Sequence, residues 1–356
     1  MAARRKALSV IGITLLLGVL AIPLLVILMA GGLQSPRRTS VPPETLSEVP
    51  PPSGAPPEVL TVVSWNIAWG YGWGSEGSGK ARPRDHFDAS IAQMGAVLKS
   101  VGADLVLLQE VDFGSRRSHH QDQARLLAQA AGLPHLARAE SWTAPWVPFP
   151  YWPPSEQFGT MHSGGAILSR FPIERHEVEL LEKPAENPAW YNLFYLFRYL
   201  ESAEVRIGDR TLKVLNTHLE AFKQDNRVLQ AKLTRARLEA AMGPYVIYGG
   251  DLNSVPPEAP YKKGYPDEPE TNHESDPTIS LFRDLPGLID TIGSSTISAR
   301  PEDFYTFPAH APNRKLDHLF VGTGFEIVEA RVLKEAGPHS DHLPLLLRVR
   351  FRPAQD

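Results

Sequence analysis

Six short stretches place carboxylates, amides and imidazoles beside apolar runs: SWNIAW from Ser64, LLQEVD from Leu107, NTHLEA from Asn216, GGDLNS from Gly249, KLDHLF from Lys315 and SDHLPL from Ser340. Each polar group would then stand at the tip of a buried strand. Asp251 and Asn253 are two residues apart. On an extended strand end they project to one side, where a carboxylate can bind a hard cation and an amide can reach a phosphate oxygen. The two glycines before them allow close approach of a ligand. His218 closes the run TLKVLNT and can donate to a phosphate, while His342 beside Asp341 has the make-up of a base oriented by a carboxylate. Singly, such residues also serve as caps and turn formers. In this order they suit a divalent-metal phosphoesterase. With no cysteine in the chain, any metal is held by O and N ligands, which favours Mg²⁺ or Mn²⁺ over Zn²⁺.

The elements that must position these groups are mostly strands. Strand-like runs are LTVVSWNI, ADLVLLQEV, GAILS, SAEVRIG, TLKVLNTHL, YVIYGGDLN, KLDHLFVG, FEIVEARVL and LPLLLRVRF. Amphipathic helical patterns are HFDASIAQMGAVLKSVG, QARLLAQAAGL and NRVLQAKLTRARLEAAM. Gly208-Asp209-Arg210 between two of the strands is a hairpin signal, so the sheet is not all parallel. The pattern predicts an α/β (α+β) two-sheet sandwich with helices outside.

Residues Leu8 to Ala30 form an uninterrupted apolar run preceded by Arg4, Arg5 and Lys6. At about 1.5 Å per residue such a run crosses a hydrocarbon core of ~30 Å. It exceeds a signal-peptide apolar region and lacks a good cleavage site, so the reading is a single-pass cell-membrane anchor. The basic residues on its N-terminal side place the large domain outside the cytoplasm. Residues 1–7 are then a basic flank, 8–30 the transmembrane helix, 31–58 a proline-rich tether and 59–356 the catalytic domain. From Gly32 to Glu58 there are eight prolines, as in an extended spacer. Without the first 58 residues, 31 Lys/Arg face 37 Asp/Glu, a formal charge of −6, which argues against a non-specific nucleic-acid binder.

Two aromatic stretches break the strand rhythm. Ser141 to Gly159 holds Trp142, Trp146, Phe149, Tyr151 and Trp152 among five prolines, too many for a strand or helix; Ala189 to Leu200 holds six aromatics. The first is open to two readings: a loop that dips into lipid or covers the site, or one packed on the domain by its own rings. Pro256 to Pro277 reads as a solvated loop.

The ordered motifs resemble the endonuclease/exonuclease/phosphatase superfamily, over nearly the whole chain from Thr61 to Arg350. The resemblance implies a four-layered sandwich of two mixed, largely antiparallel sheets flanked by helices. It also implies that Asn66 and Glu110 sit at the metal, with Asp341 a further ligand, and that His218 contacts the scissile phosphate. Asp251 and Asn253 would position nucleophile and phosphate. Asp317 would orient His218 or support the metal, and Asp341–His342 would form the base dyad. Arg198, Arg227 and Gln230 fall where members often carry an Arg and a Gln, and His162 and His318 are further candidates. The expected reaction is hydrolysis of a phospholipid or small-molecule phosphodiester by in-line water attack. A membrane-tethered nuclease and an inactive binding module on this fold are the alternatives. The expected partners are a phosphoester substrate, lipid or nucleotide, and the membrane; nothing in the sequence points to a protein partner.

Overall fold

The computed structural model describes residues 18–19, 21–51, 55–73 and 80–353. Its strands are β1 (Arg38–Ser40), β2 (Glu44–Thr45), β3 (Val59–Asn66), β4 (Leu105–Asp112), β5 (His135–Val147), β6 (Gly159–Ser169), β7 (Ile173–Leu181), β8 (Arg198–Ile207), β9 (Arg210–His218), β10 (Val246–Asp251), β11 (Leu288–Asp290), β12 (Asp317–Gly322), β13 (Phe325–Val332) and β14 (Leu345–Phe351). The helices are α1 (Arg84–Ser100), α2 (Gln123–Ala131), α3 (Ala189–Phe194), α4 (Gln224–Ala241), α5 (Thr278–Arg283) and α6 (Ser294–Ala299).

Two seven-stranded sheets run in the orders β1-β7-β8-β9-β10-β12-β11 and β13-β14-β3-β4-β6-β5-β2. Pairing is antiparallel except for β9 with β10 and β3 with β4. Strand alternation divides the apolar side chains between layers. Leu60 and Val62 of β3, Val214 of β9, Ile247 of β10 and Val321 of β12 meet in the core between the sheets. Val63 and Trp65 of β3 face outward, in one cluster with Met94 and Leu98 of α1 and Leu127 of α2. Leu215, Tyr248 and Phe320 share another with Leu238 of α4 and Phe282 of α5. The result is the expected four layers, helix, sheet, sheet, helix.

Three expectations need correction or restriction. Of the expected span Leu8–Ala30, residues 8–17 and 20 lie outside the described residues; 21–29 are helical, and among the described residues no helix is long and apolar enough to cross a membrane. The segment 31–58 is not a free spacer. β1 pairs with β7 and β2 with β5, Leu46 and Val49 are buried, and Glu44 and Glu48 pair with Arg125. Two apolar side chains in a proline-rich run suffice to dock it. Finally, Ser141–Val147 continues β5 despite Pro145, because β2 pairs only with His135 and Leu136 and leaves the rest of β5 as an edge with a register shift, where proline is tolerated.

Candidate active site

The site forms where the inward positions of the strands change from apolar to polar. On β9 the inward row runs Leu212, Val214, Asn216, His218; on β10 it is Ile247, Gly249, Asp251; on β12 it is Val321, Leu319, Asp317. The register pairs Asp251 with His218 on one side and with Asp317 on the other, so three polar side chains stand abreast at one end of the sheet. From the facing sheet β3 ends its own inward row, Leu60, Val62, Ser64, at Asn66.

Asp251 is the hub. Its Oδ2 accepts from Asn66 Nδ2 at 3.0 Å and lies 3.4 Å from His218 Nε2 and 3.6 Å from His342 Nε2. Its Oδ1 accepts from the Asn253 amide N–H at 2.9 Å. The glycines before it serve packing between strands: a Cβ on Gly250 would lie 1.9 Å from Thr217 O, and one on Gly249 2.5 Å from His318 O. Asn253 lies beyond the strand at φ 48°, so alternation does not set its direction; one of its amide protons goes to Leu219 O at 3.0 Å.

The carboxylate that holds His342 is Asp317, with Nδ1 and Oδ2 2.8 Å apart, and the expected Asp341–His342 dyad is corrected accordingly. Asp317 does not orient His218, whose Nε2 accepts from Arg198 Nη1 at 2.6 Å. Adjacency in sequence misled here, because Asp341 Oδ1 takes its hydrogen bond from Ser340 Oγ, at 3.4 Å. Burial works against an imidazolium at His342, but Asp317 and Asp251 outweigh it and raise its pKa to about 10. Burial, then the charges of Arg198 and His342, hold His218 well below the usual imidazole range. Burial pushes Asp251 up to about 7. The site thus holds one imidazolium, one neutral imidazole and a carboxyl poised near neutrality.

Glu110 sits in the register shift of β4 between Leu108 and Val111, at φ 54°, a conformation that costs a non-glycine residue on the order of 1 kcal/mol. The bulge takes its side chain out of the strand's alternation, and Asn66 Nδ2 donates to its Oε1 at 3.3 Å. Asn66 therefore braces both Glu110 and Asp251, while its oxygen accepts from Ala68 N–H. Burial raises Asp341 to about 6, with the charge of Glu110 adding to the rise. Glu110 and Asp341, two carboxylates close together in an oxygen-rich setting, fit a divalent cation. Asp251, Asp317 and His342 also place ligand atoms within 4.8 Å of one another. There, however, both ring nitrogens of His342 already face carboxylates, and its positive charge repels a cation.

Two candidates fall outside the cluster. His162 is half exposed beside Glu140. His318 is buried on the opposite face of β12, as alternation requires, between Ser254 O and Lys315 Nζ, each 3.0 Å away. The sequence reading missed Tyr195 and Glu220. Tyr195 O–H donates to Glu220, whose carboxylate lies 3.6 Å from Arg198 Nε. Arg227 and Gln230 hold the backbone of residues 220–221 just after His218. Only the strand-end position of Glu220, two residues past His218, could have signalled this.

Past the end of β3 a cavity of about 220 Å³ is lined by Trp69, Tyr71, Arg82, Arg116, Arg117 and Phe158, among others, and by none of the residues around Asp251. Arg117 is not free there, since it is paired with Asp112 at 2.9 Å and stacked on Trp69.

A sequence model described as Endonuclease/Exonuclease/phosphatase family matches residues 63–342. No match was found among curated proteins. Among solved structures, an endonuclease/exonuclease/phosphatase from Beutenbergia cavernae superimposes with a TM-score of 0.59 at 22% identity, over 84% of this chain and 73% of that one. The mannosyl-6-phosphatase of Bacteroides thetaiotaomicron gives 0.51 at 17%, over 82% and 100%. TDP2 of D. rerio, complexed with a single-strand DNA product, gives 0.53 at 15%, over 83% and 100%. At these identities the structures share the fold.

Proposed function

Because the chain belongs to the endonuclease/exonuclease/phosphatase family and is a hydrolase acting on phosphoester bonds, we propose that it cleaves a phospholipid or small-molecule phosphodiester by in-line attack of water. The observation that carries this is the arrangement around Asp251, with Asn66, His218 and the Asp317–His342 pair on one side and Glu110 with Asp341 close by. Asp251, near neutrality, takes the proton of the attacking water. His342 stays protonated through Asp317 and donates toward phosphoryl oxygen. Neutral His218 and Asn253 hold the phosphate by hydrogen bonds, and Arg198 adds positive charge from beneath His218. Glu110 and Asp341 would hold Mg²⁺ or Mn²⁺, which when bound neutralises charge on the phosphoryl group and leaving oxygen.

The acidic domain and the apolar N-terminal run support a lipid or small-molecule substrate at a membrane, with the domain outside the cytoplasm. The nuclease reading is supported by the arginine and aromatic lining of the cavity past the end of β3, since such surfaces stack bases and track phosphates. The full chain, assayed with Mg²⁺ or EDTA on sphingomyelin and phosphoinositide vesicles, a bis-aryl phosphodiester and plasmid DNA, tests both. Metal-dependent release from lipid or the aryl diester without DNA nicking is the expected result. Nicking alone would transfer the reading to nuclease, and silence on every substrate would leave a binding module.

A further inference from the structure

The end of the apolar N-terminal run docks on the strand that leads into the exposed aromatic hairpin. Val19, Ile22, Leu24, Leu25 and Leu28 are all more than half exposed, which an apolar helix does not sustain in water. Yet Ala30 is buried, Gln34 Nε2 donates to Thr143 O at 3.0 Å, and a Cβ on Gly31 would lie 2.8 Å from that same oxygen. Residues 38–40 then pair with β7. No free spacer separates the apolar helix from the domain, so the domain presents a fixed face to whatever surrounds that helix.

That face carries the aromatics. Val147 is four residues beyond Thr143 on β5, roughly 13 Å at about 3.3 Å per residue. Past it the hairpin exposes Phe149, Tyr151 and Trp152, the last at 80%. Tyr151 lies close enough to Tyr191 to act on its hydroxyl, and Trp190 beside it is 57% exposed. The two insertions are locked together at their bases, Trp142 Nε1 donating to Phe194 O at 2.9 Å. From Tyr191 the rings continue toward the site: Tyr191 stacks on Tyr195, Tyr195 bonds Glu220, and Phe222, 72% exposed, donates its backbone N–H to Glu220. A belt of rings, exposed except at the half-buried Tyr195, thus runs from the helix exit to the strand end that bears His218. Rings of this kind with polar tips favour the headgroup level of a bilayer.

We propose that the surface of Phe149, Tyr151, Trp152, Trp190, Tyr191 and Phe222 docks on the interface of the bilayer that holds the N-terminal helix, and presents the His218 side of the site to headgroup phosphoesters. The occupant is the membrane and not a soluble partner, because the apolar helix leaves the domain beside these rings. The inference rests on the proposed anchor and is independent of which ester is cleaved.

The chain has no cysteine, so single-cysteine variants of the full chain take an environment-sensitive fluorophore at one site each. In phosphatidylcholine proteoliposomes, labels at Leu24→Cys, Trp152→Cys and Asp209→Cys are compared, Asp209 lying in the β8–β9 turn at the other end of β9. Nitroxide lipids reporting ~5–10 Å below the surface should quench the labels at 24 and 152 about twofold or more and leave 209 unchanged. Quenching at 24 without quenching at 152 overturns the docking and keeps the anchor. No quenching at 24 overturns both. A label at 152 that is shielded from water yet insensitive to nitroxide lipid, and that responds to dilution of the protein, is covered by a second copy, which also overturns the proposal.

Discussion

Replacing Asp317 by Asn separates two assignments of the histidine's partner. The carboxylates of Asp317 and Asp251 raise His342 from an ordinary 6.5 to about 10, which corresponds to roughly 5 kcal/mol in favour of the imidazolium. Asn keeps the shape and can still accept from Nδ1–H, so the change removes charge more than orientation. One opposite charge in contact is worth about 1–3 units, which leaves His342 between about 7 and 9. At pH 9 the imidazolium fraction then falls from about 90% to about 10% for a variant pKa of 8, a tenfold loss. Because Asp317 also raises Asp251, the acid limb moves down with the alkaline one. The sign follows: activity rises as Asp251 ionises near pH 7 and falls as His342 loses its proton near 10, and both limbs shift to lower pH in the variant. The assay is the pH profile of kcat/KM, paired with an NMR titration of the His342 ring in metal-free protein. The reasoning fails if Asp317→Asn leaves that titration in place, or if Asp341→Asn moves it further.

Glu110→Gln keeps the volume of the side chain at the bulge and removes one charge. The Mg²⁺ concentration for half-maximal activity should rise by more than the ~10–100-fold typical of losing a mere supporting partner, and an unchanged titration would remove Glu110 from the metal. Gly250→Ala forces a Cβ to within 1.9 Å of Thr217 O and should lower Tm, at a cost of about 1–3 kcal/mol or more; a variant as stable as the parent would show that β9 and β10 can part there. Shortening the chain to 59–356 removes buried Leu46 and Val49, each worth about 1.5–3 kcal/mol, together with β1 and β2. It should melt below a chain beginning at residue 31, and equal melting temperatures would mean that 31–58 contributes nothing to the domain.

The sequence made the strands legible wherever one face was continuously apolar, as in LTVVSWN, TLKVLNTH and YVIYGGD, and it made the polar tips legible because they interrupt that row at its end. Partnership across strands was not legible. Nothing in KLDHLF or SDHLPL says that Asp317 faces His342, because that contact depends on two sheets packing face to face, whereas Asp341–His342 adjacency is visible and irrelevant to side-chain direction. Glu110 was found by type, yet its orientation comes from a register shift that alternation cannot forecast. The proline-rich stretches misled in the same way twice. Proline forbids the centre of a sheet but permits its edges, and β1, β2 and the outer half of β5 are edge pieces. Those edge pieces also decide how the N-terminal helix meets the domain. The orientation of the site toward a surface is therefore set by the parts of the chain that composition alone marks as spacer and loop.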